Sequence, residues 1–333
     1  MATQTHELLG SPTPAVSVIL PVLNEELHLE QAVTSILSQK YLGPIEILLA
    51  LGPSHDRTHE IANALSARDS RIVLVDNPTG RTAAGLNLAL SQSKNPVVVR
   101  VDGHAQIPDD YISLVVEILS ATGAVNVGGV MAAVGTTSFE RAVAGAMRSP
   151  LGVGASRFHT GGEAGPVDTV YLGAFRREAL VAIGGFDERF TRAQDWELNF
   201  RLRKNGGLIY FDPRLHVTYR PRPTLRALAK QYFEYGRWRR VVSRRHSGTI
   251  NLRYLAPPFA VVAFTASLLL GAFISQLLFI PAAIYLAFVG LASIAISAKP
   301  LEYLYLLAVI PTMHFAWGIG FITSPKTLAP SEE

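Results

Sequence analysis

The sequence contains no cysteine and little charge. Of its 333 residues, 17% are Asp, Glu, Lys or Arg, whereas soluble domains average about 25%. The absence of cysteine excludes a disulfide scaffold, a thiolate metal site and a cysteine nucleophile. The chain is also too apolar for disorder, at 49% hydrophobic residues, because disordered chains have low hydrophobicity. The composition therefore argues against a freely diffusing soluble protein.

Charge is missing altogether from two stretches near the C-terminus. Neither 254–298 nor 303–325 contains an Asp, Glu, Lys or Arg. Since a helix of about 20 apolar residues crosses the hydrocarbon of a bilayer, we expect three spans, at roughly 256–274, 277–297 and 303–322. A buried helical hairpin of a soluble protein is the less favoured alternative, because these stretches supply no polar face. Residues 1–15 lack the pattern of a signal peptide.

Lysine and arginine are concentrated immediately before the first predicted span. Residues 220–253 contain ten of them and a single acid, Glu234. Such an excess is typical of the cytoplasmic side of a membrane, so we expect a multi-pass protein of the plasma membrane whose N-terminal domain is cytoplasmic. Apolar residues at helical spacing over 224–240 predict an amphipathic helix at the membrane interface. Nucleic-acid binding is disfavoured, because no nucleic-acid motif accompanies the arginines.

The first 220 residues alternate strand-like and helix-like segments. Short runs rich in β-branched residues occur at 16–22, 45–51, 71–75 and 96–101, and the alternation predicts a parallel α/β sheet with helices on both faces. Ligands of such sheets bind outside the carboxyl ends of the strands, where several polar residues lie. No Walker sequence or G-x-G-x-x-G occurs, which disfavours an NTPase or a nicotinamide enzyme.

Three segments of this region resemble glycosyltransferase family 2. They read SVILPVLNEE (17–26), VVVRVDGHA (97–105) and GGFDERFTRAQDWELNFRLRKNG (184–206). The later segments YRPRPTL, QYFEYGRW and MHFAWGIGF (from residues 219, 231 and 313) are similar to the succinoglycan-type, ExoA-like membrane members of that family. The resemblance implies an α/β fold, namely a GT-A (Rossmann-like) nucleotide-diphospho-sugar transferase domain followed by C-terminal transmembrane helices. The predicted domains are a flexible N-terminus (1–15), a GT-A domain (16–223), a basic amphipathic interfacial segment (224–253), a transmembrane region (254–324) and a tail (325–333).

The resemblance also implies a nucleoside diphosphate sugar as donor and Mg²⁺ or Mn²⁺ on its diphosphate. The metal-binding Asp-x-Asp of the family is here Asp102-Gly103-His104. Either His104 ligates the metal beside Asp102, which would favour Mn²⁺ somewhat, or it contacts phosphate or caps the following turn. UDP is expected as the nucleotide on family grounds, although the uracil-binding carboxylate of many relatives is missing. The residues implied for nucleotide-sugar binding are Pro21, Asn24, Glu25, Asp56, Arg81, Asn87 and Asp102.

Asp195 matches the catalytic base of the family. It would accept the proton of the attacking hydroxyl in a single displacement that inverts the sugar; alternatively, it caps the helix that follows. Gln231, Arg237 and Trp238 are similar to the family's Gln-x-x-Arg-Trp motif with a stretched spacing, and are implied to hold the diphosphate or the acceptor. Arg237 and Trp238 equally fit as anchors at the membrane interface.

The expected function is an inverting transferase that moves a sugar from a UDP-sugar to a polyprenyl-linked acceptor during exopolysaccharide or cell-envelope glycan synthesis. Two alternatives stay open: a polyprenyl-phosphate sugar synthase, and an inactive membrane scaffold that binds sugar nucleotides. The glycine-rich segment 145–166 is predicted to be an acceptor loop or lid. Within the third predicted span, His314 is expected to bond across helices or to contact a lipid phosphate.

Overall fold

The computed structural model describes residues 11–328, so most of the predicted N-terminus (1–15) and tail (325–333) lies outside the described residues. The chain forms two compact units, one made of residues up to 132 together with 161–219, the other of 133–160 together with residues from 220 onward. This division differs from the predicted continuous domain at 16–223. Segment 133–160 groups with the C-terminal helices, because its side chains pack and pair with them.

The first unit is built on a mixed sheet. Its strand order is β3-β2-β1-β4-β7-β5-β8-β6, with β3, β2, β1 and β4 parallel to one another and β7 antiparallel to β4 and β5. The central strands are buried, which explains their continuous apolar sequence. The strands are β1 (Val16–Val22), β2 (Ile45–Leu51), β3 (Ile72–Asp76), β4 (Val97–Arg100), β5 (Asn126–Ala133), β6 (Gly165–Pro166), β7 (Ala174–Arg176) and β8 (Ile209–Tyr219).

Helices cover the sheet and make up nearly all of the second unit. In the first unit their apolar sides pack on the strands in two hydrophobic clusters, so the predicted α/β fold is confirmed. The helices are α1 (Leu29–Leu37), α2 (Thr58–Arg68), α3 (Thr82–Gln92), α4 (Tyr111–Thr122), α5 (Ser138–Met147), α6 (Pro150–Val153), α7 (Arg157–Thr160), α8 (Arg177–Ala182), α9 (Gln194–Lys204), α10 (Leu225–Arg245), α11 (Leu252–Phe273), α12 (Ile280–Ile296) and α13 (Pro300–Thr323).

Three helical segments of the second unit are long and apolar enough to cross a membrane. They are Leu252–Phe273, Gln276–Ile296, which combines a short 3₁₀ turn with α12, and Pro300–Thr323. They match the three predicted spans in number and order. The third begins three residues earlier than predicted and includes Glu302 in its first turn. The charge of Glu302 is accommodated there because its carboxylate accepts hydrogen bonds from Ser297 and Arg141.

Two glycines let α10 and α13 approach each other closely. A Cβ atom on Gly236 of α10 would lie 2.0 Å from the carbonyl oxygen of Trp317, and one on Gly320 of α13 would lie 2.1 Å from that of Phe233. No side chain fits in either place, so the two helices are in backbone contact. The predicted helix at 224–240 therefore exists, and its buried side packs on the third apolar helix.

The glycine-rich segment is partly helical. It contains α6 and α7, and the backbone oxygen of Leu151 lies 3.1 Å from Nε2 of His314. The other ring nitrogen of His314 lies 3.2 Å from the hydroxyl oxygen of Tyr285 on α12. His314 thus bonds across helices, as one of its two predicted roles required.

Candidate active site

The loops after β1 and β2 are joined by side-chain hydrogen bonds at the carboxyl end of the sheet. Asn24 donates its backbone N–H to the hydroxyl of Ser54 (3.0 Å) and accepts the N–H of His55 on its side-chain oxygen (2.9 Å). Its φ of 55° is left-handed, a conformation that asparagine tolerates better than most residues. Asn24 therefore shapes the rim of the crevice directly after β1.

Asp56 stabilises the same rim. Its Oδ1 accepts the N–H of Thr58 at 3.0 Å, and its Oδ2 accepts the N–H of Glu26 at 3.2 Å. The pKa of Asp56 is lowered, chiefly by a hydrogen bond from the Thr58 hydroxyl. The structure therefore places this predicted nucleotide ligand in the loop framework, with both carboxylate oxygens engaged.

The residues after β4 bring a carboxylate and an imidazole to the crevice. Nδ1 of His104 lies 2.7 Å from Oε1 of Glu25, which follows β1. A Cβ atom on Gly103 would lie 3.1 Å from Cγ of Glu25, so the small residue leaves room for the glutamate. Glu25, Asp102 and His104 thus line the loop ends of two adjacent strands, where the sequence placed them.

Arg100, the last residue of β4, connects two carboxylates of the site. Its Nε and Nη2 donate to Oδ1 of Asp102 at 3.1 and 2.9 Å, and its Nη1 donates to Oδ1 of Asp195. Only 7% of its side chain is exposed. The sequence interpretation missed this residue. The available signal was an arginine at the end of a buried valine strand, since a buried charge requires a partner.

Asp195 lies in the first turn of α9 and does not cap it. The position before α9 is Ala193, which has a left-handed φ of 60° and makes no side-chain cap, so the capping alternative is wrong. Burial raises the pKa of Asp195 to about 6, with a contribution from the charge of Asp102, while Arg100 and a hydrogen bond from the backbone of Leu172 oppose the rise. A carboxylate of this kind accepts protons near neutral pH.

The loop that precedes Asp195 is held from two sides. Arg201 pairs with the buried Glu197 at 2.7 Å and donates to the backbone oxygens of Ile183 and Gly185, both at 2.8 Å. Glu197 and Arg201, which lie four residues apart on α9, therefore have a structural role in the 184–206 segment. Their contacts clamp the turn that leads into α9.

Asn87, a predicted nucleotide-binding residue, is the second clamp on that loop. Its amide nitrogen donates to the backbone oxygen of Phe186 (2.8 Å) and to Oε1 of Glu188 (2.9 Å), and its oxygen accepts the N–H of Phe186 (2.8 Å). Both amide hydrogens are used in these bonds, which connect α3 to the 184–188 loop. Asn87 therefore has no donor left for a nucleotide.

Pro21 and Arg81, two further predicted nucleotide-binding residues, lie near the end of β1 and at the start of α3. Pro21 is paired with Ala50 in the register of β1 and β2, one residue before β1 ends. Arg81 immediately precedes α3, is exposed, and donates its backbone N–H to the Thr79 hydroxyl at 3.1 Å.

Gln231, Arg237 and Trp238 lie on α10 of the second unit. Gln231 donates to the hydroxyl of Tyr235 (2.8 Å) and Arg237 pairs with Glu234 (2.9 Å). Trp238 is 3% exposed. Its ring is therefore buried inside this unit, whereas the predicted roles, at the diphosphate or at the membrane interface, need an exposed ring. Arg237 lies six positions after Gln231, which puts the two residues about 120° apart around a helix of 3.6 residues per turn. The stretched spacing therefore aims the two side chains in different directions.

The sequence matches the model of glycosyl transferase family 2 over residues 17–184. It is also 33% identical to the succinoglycan biosynthesis protein ExoA of Rhizobium meliloti, over 91% of this chain and 93% of that protein. The chain belongs to glycosyltransferase family 2. Asp195 lies beyond the segment that the family model matches, whereas the ExoA similarity covers 91% of the chain.

A second relative and a solved structure are also similar to this chain. The chain is 24% identical, over 73% of its length and 77% of the relative's, to the dolichyl N-acetyl-alpha-D-glucosaminyl phosphate 3-beta-D-2,3-diacetamido-2,3-dideoxy-beta-D-glucuronosyltransferase of Methanococcus voltae. Its fold resembles that of the mannosyltransferase PcManGT from Pyrobaculum calidifontis, solved with GDP-Man and Mn²⁺. The TM-score is 0.62 at 22% identity, covering 90% of this chain and 87% of the other. The GT-A fold of this family 2 glycosyltransferase is thereby confirmed.

The residues after β4 fit a divalent cation of the kind that GT-A enzymes commonly use. Within residues 11–328, no three His, Asp or Glu side chains come together as a preformed metal cluster. A cation that carries a diphosphate needs only one or two protein ligands, because phosphate oxygens and water complete its shell. Arg100 bonds to Oδ1 of Asp102, which leaves Oδ2 for a cation, and His104 lies two residues further on.

Proposed function

We propose that this chain is an inverting glycosyltransferase that moves a sugar from a nucleoside diphosphate sugar to a lipid-linked acceptor at the cytoplasmic face of the plasma membrane. The observation that carries the proposal is the arrangement Asp102–Arg100–Asp195 at the end of β4. It joins a carboxylate suited to a metal diphosphate with one suited to deprotonating an acceptor.

Asp195 is the proposed catalytic base. A pKa of about 6 leaves the carboxylate mostly ionised at neutral pH, yet basic enough to take a proton from a hydroxyl as that oxygen attacks the sugar. Arg100 holds Oδ1 of Asp195 and thereby orients the carboxylate. Attack from the face opposite the leaving diphosphate inverts the anomeric centre.

The donor is proposed to bind beside Asp102, His104 and Glu25. Asp102 and His104 would hold Mg²⁺ or Mn²⁺, which when bound offsets the negative charge that develops on the leaving diphosphate. His104 is oriented by its contact with Glu25; such contacts set which ring nitrogen is available to a ligand. Arg81, exposed at the start of α3, is proposed to reach the phosphates. UDP-sugars are the first donors to test.

A lipid-linked acceptor is proposed because the enzyme carries three helices apolar enough to span a membrane. The name of the Methanococcus voltae relative specifies a dolichyl N-acetyl-alpha-D-glucosaminyl phosphate as acceptor, and that of ExoA specifies succinoglycan biosynthesis. The cationic segment before the first of these helices supports a cytoplasmic location for the sheet unit. A multi-pass enzyme of this orientation meets soluble sugar nucleotides on the same side as the lipid head.

Donor screening tests the proposal directly. Membranes that contain the full chain are incubated with UDP- and GDP-sugars and Mn²⁺, and the released nucleoside diphosphate and the lipid products are quantified. We expect a sugar added to a lipid-linked saccharide, and loss of release in Asp195→Asn. A product that is a single sugar on polyprenyl monophosphate would identify the synthase instead. Equal release from the wild type and from membranes without the chain would exclude catalysis.

A further inference from the structure

A small cavity in the second unit lies where two of the apolar helices are joined. It has a volume of about 260 Å³ and is formed by α5, by the residues just before it, and by the turn between α12 and α13. Its polar lining consists chiefly of Arg141, Arg148, Ser297, Lys299 and Glu302. If α12 and α13 cross a bilayer, this turn lies at the membrane surface, so the cavity opens at the depth of lipid headgroups.

The charges around the cavity are unequal. Three cations face one carboxylate, and that carboxylate is already engaged. Glu302 accepts hydrogen bonds from Nε of Arg141 at 2.8 Å, from the hydroxyl of Ser297 at 2.8 Å and from Nζ of Lys299 at 3.4 Å. Glu302 holds Arg141 and Lys299 at the cavity wall, while the exposed Arg148 adds a further positive charge. A bound group that complements this lining carries negative charge.

The surfaces beside the cavity are apolar and exposed. Ile294 near the end of α12 is 61% exposed, and Leu301 and Leu304 at the start of α13 are 52% and 60% exposed. Soluble surfaces rarely leave such contiguous apolar groups uncovered. A ligand that fits both features has an anionic head for the cavity and hydrocarbon chains for the adjoining helices.

We propose that this cavity binds the phosphate headgroup of an anionic membrane lipid. Basic pockets between membrane helices recognise lipid heads in this manner. The segment 133–160, whose α5 forms one wall, would then be held at the membrane by the lipid as well as by α13. This inference rests on the apolar helices and does not depend on the identity of the sugar donor or acceptor.

The test is a lipid titration of the full chain in detergent, followed by native mass spectrometry. The probe is phosphatidylglycerol, with phosphatidylcholine and inorganic phosphate as separate arms. The test variant is Arg148→Gln/Lys299→Gln. The matched control is Arg68→Gln/Lys94→Gln, which removes one arginine and one lysine from the exposed surface of the sheet unit, outside the basic segment at 224–253. Thermal unfolding in the same detergent verifies that each variant is folded.

We expect phosphatidylglycerol to bind the test variant about thirtyfold more weakly than the wild type, since each cation near anionic lipid contributes roughly a factor of five. The control should bind within about twofold of the wild type, and the single variant Arg148→Gln about fivefold more weakly. Phosphatidylcholine should bind poorly to all. Equal losses in the test and control variants, or binding of inorganic phosphate as tight as that of phosphatidylglycerol, would overturn the proposal.

Discussion

The two units of this enzyme treat charge in opposite ways. In the sheet unit, Arg100 is 7% exposed and lies between two carboxylates at the end of a buried strand. In the helical unit, the apolar helices carry no charge in their interiors, and side chains such as Phe259 and Leu291 are 73% and 69% exposed. The comparison teaches that the two units suit different surroundings. The sheet unit buries Arg100 between the carboxylates of the site, whereas the hydrocarbon that the apolar helices expose is suited to lipid.

The units also differ in what holds them together. Apolar side chains fill the core on both faces of the sheet, whereas α10 and α13 meet backbone to backbone at Gly236 and Gly320. Close approach through small residues is typical of helices that pack in membranes, where burial of hydrocarbon supplies little driving force. The experiments below test each side of this comparison.

The largest effect is expected from Asp195→Asn in the sheet unit. The variant keeps the size of the side chain and loses the base, so kcat should fall by about 10²–10⁴-fold. Nucleotide affinity, measured by calorimetry, should stay within a few fold. The control Asp168→Asn removes an exposed carboxylate of the same unit and should retain activity. Unchanged turnover in Asp195→Asn would contradict the base assignment.

Arg100→Gln tests how much stability is lost when the carboxylates of Asp102 and Asp195 lose the cation that lies between them. Both carboxylates lose their shared cation, and removing one partner of a buried pair costs roughly 3 kcal/mol or more. We expect a lower free energy of unfolding for the sheet unit and weaker activity. The control is Arg71→Gln, because Arg71 forms a pair with Asp69 of the same two-residue spacing at the surface; exposed pairs contribute at most about 1 kcal/mol. Similar losses in both variants would refute a special role for Arg100.

Gly320→Ala tests the helical unit. The added Cβ would lie 2.1 Å from a backbone oxygen of α10, and overpacking of this kind costs about 1–3 kcal/mol. The midpoint of thermal unfolding in detergent should fall accordingly. Gly290→Ala on α12, where a Cβ meets nothing within 4 Å, is the control and should leave the midpoint nearly unchanged. If both variants unfold at the wild-type temperature, the backbone contact is not a source of stability.

The pH dependence of kcat/KM reports the base itself. Because burial raises the pKa of Asp195 to about 6, the carboxylate is protonated below that pH and cannot accept a proton. We therefore expect kcat/KM to be constant above pH 7 and to fall about tenfold per pH unit below 6. A profile that stays flat down to pH 5 would contradict the environment described for Asp195.

His104→Asp is expected to have the smallest effect. The change restores two carboxylates of the usual Asp-x-Asp spacing after β4, and oxygen ligands suit Mg²⁺ better than an imidazole does. We expect the ratio of activity with Mg²⁺ to activity with Mn²⁺ to rise a few fold, measured as nucleoside diphosphate release in each metal. His104→Gln is the neutral comparison. An unchanged ratio in both variants would indicate that residue 104 does not contact the ion.

Local patterns predicted the elements well. The runs at 16–22 and 45–51 are strands with those bounds, because a continuous apolar run of β-branched residues suits a strand buried on both faces. Asp102, His104 and Glu25 were placed correctly for the same reason, since the ends of parallel strands meet at one edge. The contacts of Asn87 could not be predicted, because its partners at 186–188 are about 100 residues away along the chain, and no local pattern reveals them.

The sequence alone determined which segments form strands and which form long apolar helices. Apolar periodicity and the length of a charge-free stretch are local properties of the chain. The tertiary structure alone decided which groups meet. It brought Arg100 to Asp195, which are 95 residues apart, and it moved segment 133–160 from the sheet to the apolar helices. The physical reason is that burial shifts a pKa, and pairing offsets a buried charge, only where distant segments exclude water together.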